Sequence, residues 1–369
     1  MKKHTFIRKS YLLVAIISII LVLIFLYYNQ EKNKNKYEEN QSISENFFFQ
    51  NLFHEGAIAT NPGNLEYVEE YATGNQVLSE SQGLWMQYCL LKDDQVNFDK
   101  ALNFVKNKML IENFISYRYV TDGELFYVTS AIDDFRIVGA LIEADKKWGN
   151  KEYLESAIIY SESMYESIIQ NDNIVDFYDI AQESKGNALT LCYADFNTMN
   201  WLINIDSRWQ PIFDNSLKII KEGYLGDSFP CFATSFDYAS STYNTKQINM
   251  VQSLITAINL ASIDQCPEQT VEFIENKVKT KTLFGSYLST GEAVDDVNST
   301  AVYALAAILG NKTGNKELET EALDIMIQFQ VLNEKSELYG GFADENTKDA
   351  FSFDNLNGLI AMQMKSNEN

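Results

Sequence analysis

The chain has few of the residues that bind metals or form disulfides. It contains only two histidines, His4 and His54, and its four cysteines lie far apart, at positions 89, 192, 231 and 266. No Cys-x-x-Cys pair occurs, so a zinc site is not expected. Disulfides form in extracellular proteins, but Cys89 lies in an apolar helical run. We therefore favour buried thiols.

Positive charge is scarce beyond the N-terminus. Residues 1–36 hold seven Lys or Arg and one Glu, net +6, so residues 37–369 carry −28 of the formal net charge of −22. This surface repels nucleic acid and anionic polymers, although salt screens the repulsion beyond about 8–10 Å. Nucleic acid is therefore not an expected partner, and neutral or cationic glycans are.

Charged residues are absent from residues 11–28, an apolar run long enough to cross a bilayer as a helix. Four Lys or Arg precede it at positions 2, 3, 8 and 9, and cationic flanks stay in the cytoplasm. The pattern predicts a cytoplasmic tail (1–10), a single-pass plasma-membrane anchor (11–28) in contact with the lipid bilayer, and an extracellular remainder. A cleaved signal peptide is the alternative, but it would need a shorter apolar region and small residues at its cleavage site.

Apolar residues are scarce between the anchor and residue 47. Residues 29–46 are polar and of low complexity, which predicts a flexible linker. The remaining residues, 47–369, are compatible with one large domain.

Proline and strand-like alternation are also scarce, and apolar residues recur at helical spacing along the domain. Short links alternate with longer loops, which favours stacked antiparallel hairpins. No repeat of 34–45 residues argues for an open solenoid. We therefore predict an all-α (α/α)6 barrel, six helical hairpins in a closed ring. The twelve predicted helices are 64–73, 79–92, 96–112, 131–147, 150–170, 187–203, 207–224, 245–263, 267–281, 294–310, 314–332 and 350–366.

Glu80 is the first candidate catalytic residue. It lies in the first turn of an apolar helix, near Trp85. Burial would raise its pKa and the positive helix end would lower it. Glycosidic bond cleavage needs one protonated carboxyl and a second, ionised one. The alternative is a glutamate that only stabilises the helix start, with Ser79 as its cap.

Asp133 and Asp134 precede a second helix with an apolar face. One of them can cap this helix, while Asp134 can point into a groove and stabilise positive charge that develops on a sugar ring. The alternative is that both aspartates only cap the helix.

These segments resemble two blocks of glycoside hydrolase family 8. Residues 79–86, Ser-Glu-Ser-Gln-Gly-Leu-Trp-Met, are similar to the family's Ser-Glu-Gly-Gln-Gly-Tyr-Gly-Met block, whose glutamate is the general acid. Asp134 follows 54 residues after Glu80, and residues 134–149 resemble the family's run Asp-x-Asp-x-Asp-Ile-Ala…Leu-Leu-Ala-Asp-Lys-x-Trp-Gly. Residues 97–105 also resemble the family's helix at that position.

The resemblance implies an (α/α)6 fold and inverting hydrolysis. Glu80 would be the acid, Asp134 would steady the distorted sugar ring, and Asp133 would bind substrate beside it. The chain departs from the family at Ser81, Trp85, Ile132 and Arg136, and in residues 191–193, which stand for the family's Pro-Ser-Tyr block. The pattern looks closest to the membrane-tethered branch that Gram-positive bacteria keep beside exopolysaccharide synthases.

The general base of the family lies after a long aromatic loop and upstream of a helix. This position points to Asp237. Alignment on Tyr243 and the following helix would place Asn244 there instead, and an asparagine cannot take a proton from water. We predict Asp237 as the base.

Aromatic side chains bind sugars through the apolar faces of the rings, and about half of the candidates are expected to be core residues. Trp148 and Trp209 are assigned to the core. The candidates for substrate binding are Trp85, Tyr119, Tyr178, Tyr193, Trp201 and Tyr243.

The sequence therefore predicts a membrane-anchored extracellular endo-glycosidase that hydrolyses a polysaccharide, with the producer's own exopolysaccharide as substrate and an exopolysaccharide synthase complex as a candidate partner. This chemistry requires no metal or organic cofactor. The alternatives are a non-catalytic glycan-binding or synthase-associated protein on the same scaffold, and a cell-wall enzyme or lyase.

Overall fold

A computed structural model describes residues 36–63, 68, 71–120 and 124–367. The predicted cytoplasmic tail (1–10) and membrane anchor (11–28) lie outside these residues. Among the helices that the structure describes, none combines the length and the apolar character needed to span a membrane.

The described part of the chain contains twelve α-helices. They are α1 (36–51), α2 (Ser79–Lys92), α3 (Gln95–Phe104), α4 (Ala131–Trp148), α5 (Lys151–Ile168), α6 (Phe196–Ile205), α7 (Trp209–Glu222), α8 (Met250–Ala261), α9 (Glu268–Lys279), α10 (Thr300–Thr313), α11 (Lys316–Met326) and α12 (Ser352–Asn367).

The helices form two concentric rings. The inner ring is α2, α4, α6, α8, α10 and α12, each packed against the next, with α12 closing onto α2. In the outer ring, α3, α5 and α7 pack on α2, α4 and α6, while α9 and α11 pack on α10. One hydrophobic core runs through the whole domain. This is the predicted (α/α)6 barrel.

The outer ring is completed by α1, so the linker predicted for residues 29–46 is wrong over 36–46. Tyr37 and Phe48 are buried on its inner side. Gln41 lies between them and donates to Tyr88 Oη at 2.8 Å and to Gln363 Oε1 at 2.7 Å. Polar composition suggested an unfolded segment, but buried hydrogen bonds satisfy these polar groups. Residues 29–35 lie outside the described part.

Other element predictions also need correction. The helix predicted at 64–73 is not present in its described residues, 68 and 71–73, so the predicted total of twelve was reached with α1 in its place. The helix predicted at 96–112 leaves α-geometry after Phe104 and continues as a π-helix, Val105–Met109. The helix predicted at 187–203 begins only at α6, where Asp195 accepts a hydrogen bond from Thr198 N as the N-cap.

Fifteen short strands form seven small antiparallel sheets among the described residues. The widest is β11–β12–β13, in which Asp237 lies opposite Ala188 and Thr242. The strands are β1 (Phe53–His54), β2 (Ala57–Ile58), β3 (Val77–Leu78), β4 (Leu110–Ile111), β5 (Phe114–Ile115), β6 (Arg118–Tyr119), β7 (Ile169–Gln170), β8 (Asn173–Ile174), β9 (Tyr178–Asp179), β10 (Ser184–Lys185), β11 (Ala188–Thr190), β12 (Ser235–Asp237), β13 (Thr242–Asn244), β14 (Ile248–Asn249) and β15 (Ser286–Tyr287).

Candidate active site

Four inner helices begin at one end of the ring, which we call the N-terminal face. Hydrogen bonds between their first residues hold them together. These bonds are Ser79 Oγ to Asp133 Oδ2 at 3.1 Å (α2 to α4), Ser81 Oγ to Ser352 Oγ at 2.8 Å (α2 to α12), and Ala301 N to Asp354 Oδ1 at 2.9 Å (α10 to α12).

Glu80 lies at this face, in the first turn of α2. The backbone N–H of Ser79 donates to Tyr117 O at 2.9 Å, which fixes the entry into the helix. Ser79 does not cap α2, because the N-cap is Leu78 and its side chain makes no capping bond. The Glu80 side chain keeps 29 % of its surface exposed. It is therefore mostly enclosed but accessible to a substrate.

Arg136 lies between two carboxyl groups. Its Nη1 is 2.7 Å from Asp133 Oδ1 and 3.8 Å from Glu80 Oε2. Gly83 allows this arrangement, because a Cβ at that position would lie only 2.8 Å from Arg136 Cβ. The missing side chain thus lets α2 and α4 approach closely.

The surroundings of Glu80 favour its protonated form. Burial is the largest effect, the negative charge of Asp133 adds to it and Arg136 opposes it; together with a contribution from Asp354 they raise the pKa of Glu80 to about 7. A glutamate with this pKa still carries its proton in a large fraction of molecules at neutral pH, as a general acid must.

The two adjacent aspartates of α4 point in different directions. Asp133 joins Ser79 and Arg136 at the N-terminal face. Asp134 points the other way, because successive residues of a helix are rotated by about 100°. The prediction that Asp134 contacts substrate is therefore wrong in this structure, and neither aspartate is the N-cap of α4, which is Ser130.

Asp134 is buried between α4 and α5. It borders a cavity of about 10 Å³ that is also lined by Tyr160, Ser163 and Ser167. Its Oδ1 has no hydrogen-bond partner among the described residues. Burial, followed by the charge of Asp133, raises the pKa of Asp134 well above its usual value. Burial thus favours the neutral form of the Asp134 carboxyl group.

Asp237 ends strand β12, at the tip of the β12–β13 hairpin. Its Oδ1 accepts hydrogen bonds from Ser240 N at 2.7 Å and Ser240 Oγ at 2.8 Å, and these bonds hold the pKa of Asp237 below its usual value. Thr190 pairs with Ser235 two residues away, so Asp237 and Thr190 share one face of the sheet.

Asp176 is an acidic residue near this site that was not predicted from the sequence. Its backbone oxygen accepts from Ala131 N at the start of α4, and its carboxylate accepts from Thr190 N at 2.6 Å and Thr190 Oγ1 at 2.7 Å. Burial raises the pKa of Asp176. The sequence does place this aspartate directly after two apolar residues, Ile174 and Val175, which are buried in the structure.

Asp354 was missed as well. It lies in the first turn of α12 and accepts from Ala301 N, so it caps α10 from a neighbouring helix. Burial raises its pKa, and its charge in turn raises the pKa of Glu80. No pattern within residues 350–356 indicates a cap for a helix about fifty residues earlier.

One of the aromatic candidates belongs to the core. Trp85 is 1 % exposed and stacks on Phe48 with ring centroids 4.5 Å apart, so its assignment to substrate binding is wrong. Tyr243 is half-buried; it donates to Ile219 O at 2.8 Å and lies 4.8 Å from the ring of Phe236.

The other four candidates are half-buried. Tyr193 lies closest to the acidic cluster, since burial and then the charges of Asp133 and Asp176 raise its pKa. Tyr119 packs edge-on against Phe104, Tyr178 lies beside Phe114, and Trp201 lies under Lys146 at 3.8 Å and lines a cavity inside the ring. Of the two predicted core tryptophans, Trp209 is buried and Trp148 is half-buried.

The four cysteines are free thiols, three of them buried, as expected. No group of three or more His, Cys, Asp or Glu side chains able to hold a metal ion occurs in the described ranges.

Comparison with known proteins gives the family. The model of "Glycosyl hydrolases family 8" matches residues 51–181. The structure is similar to that of a novel alpha-amylase from Clostridium perfringens, with 32 % identity and a TM-score of 0.83 over 88 % of this chain and 97 % of that chain. The chain belongs to glycosyl hydrolase family 8.

Two further relatives span the same length. YdaJ, a candidate lipoprotein of Bacillus subtilis (strain 168), is 26 % identical over 351 residues, 92 % of each chain. A family 8 endoglucanase from Klebsiella pneumoniae shares the fold at 14 % identity, with a TM-score of 0.62 over 88 % of this chain and 99 % of that chain.

The predicted family is thus confirmed, and the protein is a glycoside hydrolase. This family 8 enzyme carries Arg136 in an acidic segment of the family pattern, and the structure shows what Arg136 contacts. It pairs with Asp133 and lies near Glu80.

Proposed function

We propose that this glycoside hydrolase cleaves a polysaccharide with inversion, and that Glu80 protonates the departing glycosidic oxygen. The observation that supports this most is the raised pKa of Glu80, about 7, in a partly exposed position at the start of an inner helix. A proton donor with a raised pKa is one half of the carboxyl pair that such hydrolysis requires.

Asp237 is the proposed base. Its lowered pKa keeps it ionised, and it shares a sheet face with Thr190, which binds Asp176. The two carboxyl groups of an inverting pair stand about 6.5–9.5 Å apart, which leaves room for the attacking water. Asp176 is the second candidate, because it is bonded to the start of α4 and its raised pKa favours proton uptake.

Asparagine variants separate these two candidates. Replacement of the base should lower kcat by about 10²–10⁴-fold, and added azide should restore turnover, since azide attacks without losing a proton. We expect this behaviour for Asp237→Asn and a smaller loss without azide rescue for Asp176→Asn. The reverse pattern would assign the base to Asp176.

Asp133 is the proposed residue that steadies the distorted sugar ring, the role expected from the sequence for Asp134. Its carboxylate is oriented by Ser79 and Arg136 at the N-terminal face. In this position its negative charge opposes the positive charge that develops on the sugar ring at the transition state.

The proposed substrate is an exopolysaccharide outside the producing cell. Residues 11–28 would hold the domain at the outer surface of the plasma membrane. The formal charge of −28 on residues 37–369 disfavours anionic glycans. The likeness to a candidate lipoprotein supports attachment to a membrane. The lipid bilayer and an exopolysaccharide synthase are the partners that this location proposes.

An α-glucan is the second candidate substrate. The observation that favours it is the 32 % identity to an alpha-amylase along nearly the whole chain.

Release of reducing ends by the full-length protein tests the two substrates. The protein is incubated with the producer's exopolysaccharide, with starch and with a β-glucan. Products should arise from the exopolysaccharide or from starch, and Glu80→Gln should give none. Proton NMR of the newly formed anomer reports inversion. Retention of configuration, or equal product release by Glu80→Gln, would contradict the proposed mechanism. Protease treatment of intact cells tests the location, since an extracellular domain is digested.

A further inference from the structure

The six inner helices enclose a cavity of about 230 Å³ along the axis of the ring, which we call the axial cavity. Its upper end reaches Arg136, in the second turn of α4. Its lower end reaches Glu143, five residues before the end of α4, and Lys312, in the last turn of α10. Lys312 is exposed, so the axial cavity opens at the end of the ring opposite Glu80.

Three polar side chains from three different helices border the axial cavity with unused hydrogen-bonding capacity. Gln87 of α2 makes no side-chain hydrogen bond within the described part of the chain. Glu143 of α4 interacts with the Asn197 side chain and is attracted by Lys312 of α10 without an ion pair, and a carboxyl group with one such partner can accept further hydrogen bonds. The cavity therefore offers an amide, a carboxyl group and an ammonium group to a ligand.

The other charged groups on the lining are already bonded. Asp195 accepts from Thr198 N at 3.0 Å and from Thr198 Oγ1 at 2.8 Å. Arg136 is paired with Asp133. Glu143 and Lys312 carry opposite charges, so the unused groups have no net charge and favour a neutral ligand.

A sugar ring matches this lining. Each hydroxyl both donates and accepts hydrogen bonds, which suits Glu143, Lys312 and Gln87. Trp201 and the aliphatic side chains of α8, α10 and α12 face the remaining volume, as sugar C–H groups require. A cavity of about 230 Å³ is large enough for one sugar ring.

We propose that the axial cavity is a second, non-catalytic binding site for a single neutral sugar ring. A sugar ring is the unit of the proposed polysaccharide substrate, and to this extent the inference rests on the proposed function. Arg136 lines the cavity and also lies 3.8 Å from Glu80. A sugar bound in the axial cavity thus affects Glu80 through Arg136 without occupying the substrate site, which gives non-competitive inhibition.

Fluorine NMR tests binding without turnover. The chain has four tryptophans, at 85, 148, 201 and 209, so the 5-fluorotryptophan protein with Glu80→Gln gives four signals, and Trp201→Phe identifies one of them. Titration with D-glucose should shift the Trp201 signal in a saturable way at millimolar concentration, and the other three signals report that the protein remains folded.

Lys312→Met and Glu143→Gln should each weaken this binding by about tenfold, equivalent to about 1.4 kcal/mol. Lys335→Met and Glu155→Gln, at exposed positions outside the cavity, should not change it. The proposal is overturned if the Trp201 signal stays fixed up to about 100 mM D-glucose, since a site with a Kd above that range is not specific. It is also overturned if Lys312→Met and Glu143→Gln bind D-glucose as tightly as the parent protein does. Failure to hydrolyse any tested polysaccharide would leave this measurement unaffected.

Discussion

Arg136 Nη1 lies 3.8 Å from Glu80 Oε2, more than an ångström farther than its 2.7 Å contact with Asp133. The guanidinium charge is therefore directed mainly to Asp133. Burial and the negative charge of Asp133 raise the pKa of Glu80, and the more distant Arg136 only partly opposes them. This asymmetry favours the protonated form of the residue that we propose as the proton donor.

The pH dependence of activity should follow Glu80. A general acid works only while protonated, so kcat/KM should fall as pH rises through about 7, the pKa of Glu80. Glu80→Gln should lower kcat by about 10²–10⁴-fold and remove this basic limb. Initial rates between pH 5 and 9 provide the measurement, and a flat profile up to pH 9 would contradict the assignment.

Asp133→Asn should move the basic limb to lower pH. Removing the negative charge favours the ionised form of Glu80, and the freed Arg136 acts in the same direction. The loss of an oriented sugar contact should also cost about tenfold in kcat/KM, or about 1.4 kcal/mol. The position of the limb separates the two effects, because a purely structural defect lowers the rate at every pH and leaves the limb in place.

Asp134→Asn should have little effect. Burial raises the pKa of Asp134 and so favours its neutral form, and an amide of the same shape replaces it. Activity within about threefold of wild type and stability within about 1 kcal/mol are expected. A loss of more than about 100-fold in kcat would restore the sugar-stabilising role that the sequence analysis gave to this residue.

Glu80→Gln should stabilise the fold at high pH only. The pKa of Glu80 is raised in the folded protein, so folding binds the proton more tightly than the unfolded chain does. Ionising Glu80 costs the folded state free energy. This cost is absent well below pH 4.5, the pKa of the unfolded chain, and it grows as pH rises towards and through about 7. The melting temperatures of variant and wild type should be similar at pH 4.5, and the variant should melt higher at pH 8.

Phe48→Ala tests whether α1 belongs to the folded ring. Phe48 is fully buried and stacks on Trp85, so its removal should cost about 3–5 kcal/mol in the free energy of unfolding by urea. Phe49, the neighbouring residue, is 41 % exposed, and Phe49→Ala should cost about 1 kcal/mol. Equal, small losses in both variants would mean that α1 is dispensable.

Much of the barrel, and the position of Glu80 at the start of an inner helix, could be predicted from sequence. The apolar run of α2 shows helical spacing, and its start fixes Glu80 in the first turn. The placement of Asp134 at the substrate failed because a single residue step turns a side chain by about 100°. Which of the two faces the cluster depends on how α4 rotates against α2 and α5, and local pattern does not specify that rotation.

Two other predictions failed for related reasons. Residues 36–46 were called a linker because their composition is polar, but Gln41 is satisfied by Tyr88 and Gln363, which lie far away in sequence. Trp85 was expected at the substrate because it adjoins Glu80. In the helix, a separation of five residues turns it towards Phe48 and the core.

Gly83 ties the spacing of two helices to the strength of an acid. It lies under the Arg136 side chain, where a methyl group would push α4 away from α2. Any substitution that shifts this helix pair changes how closely Asp133 and Arg136 approach Glu80. The working pH of the enzyme is therefore adjustable by backbone packing alone, with every charged side chain retained.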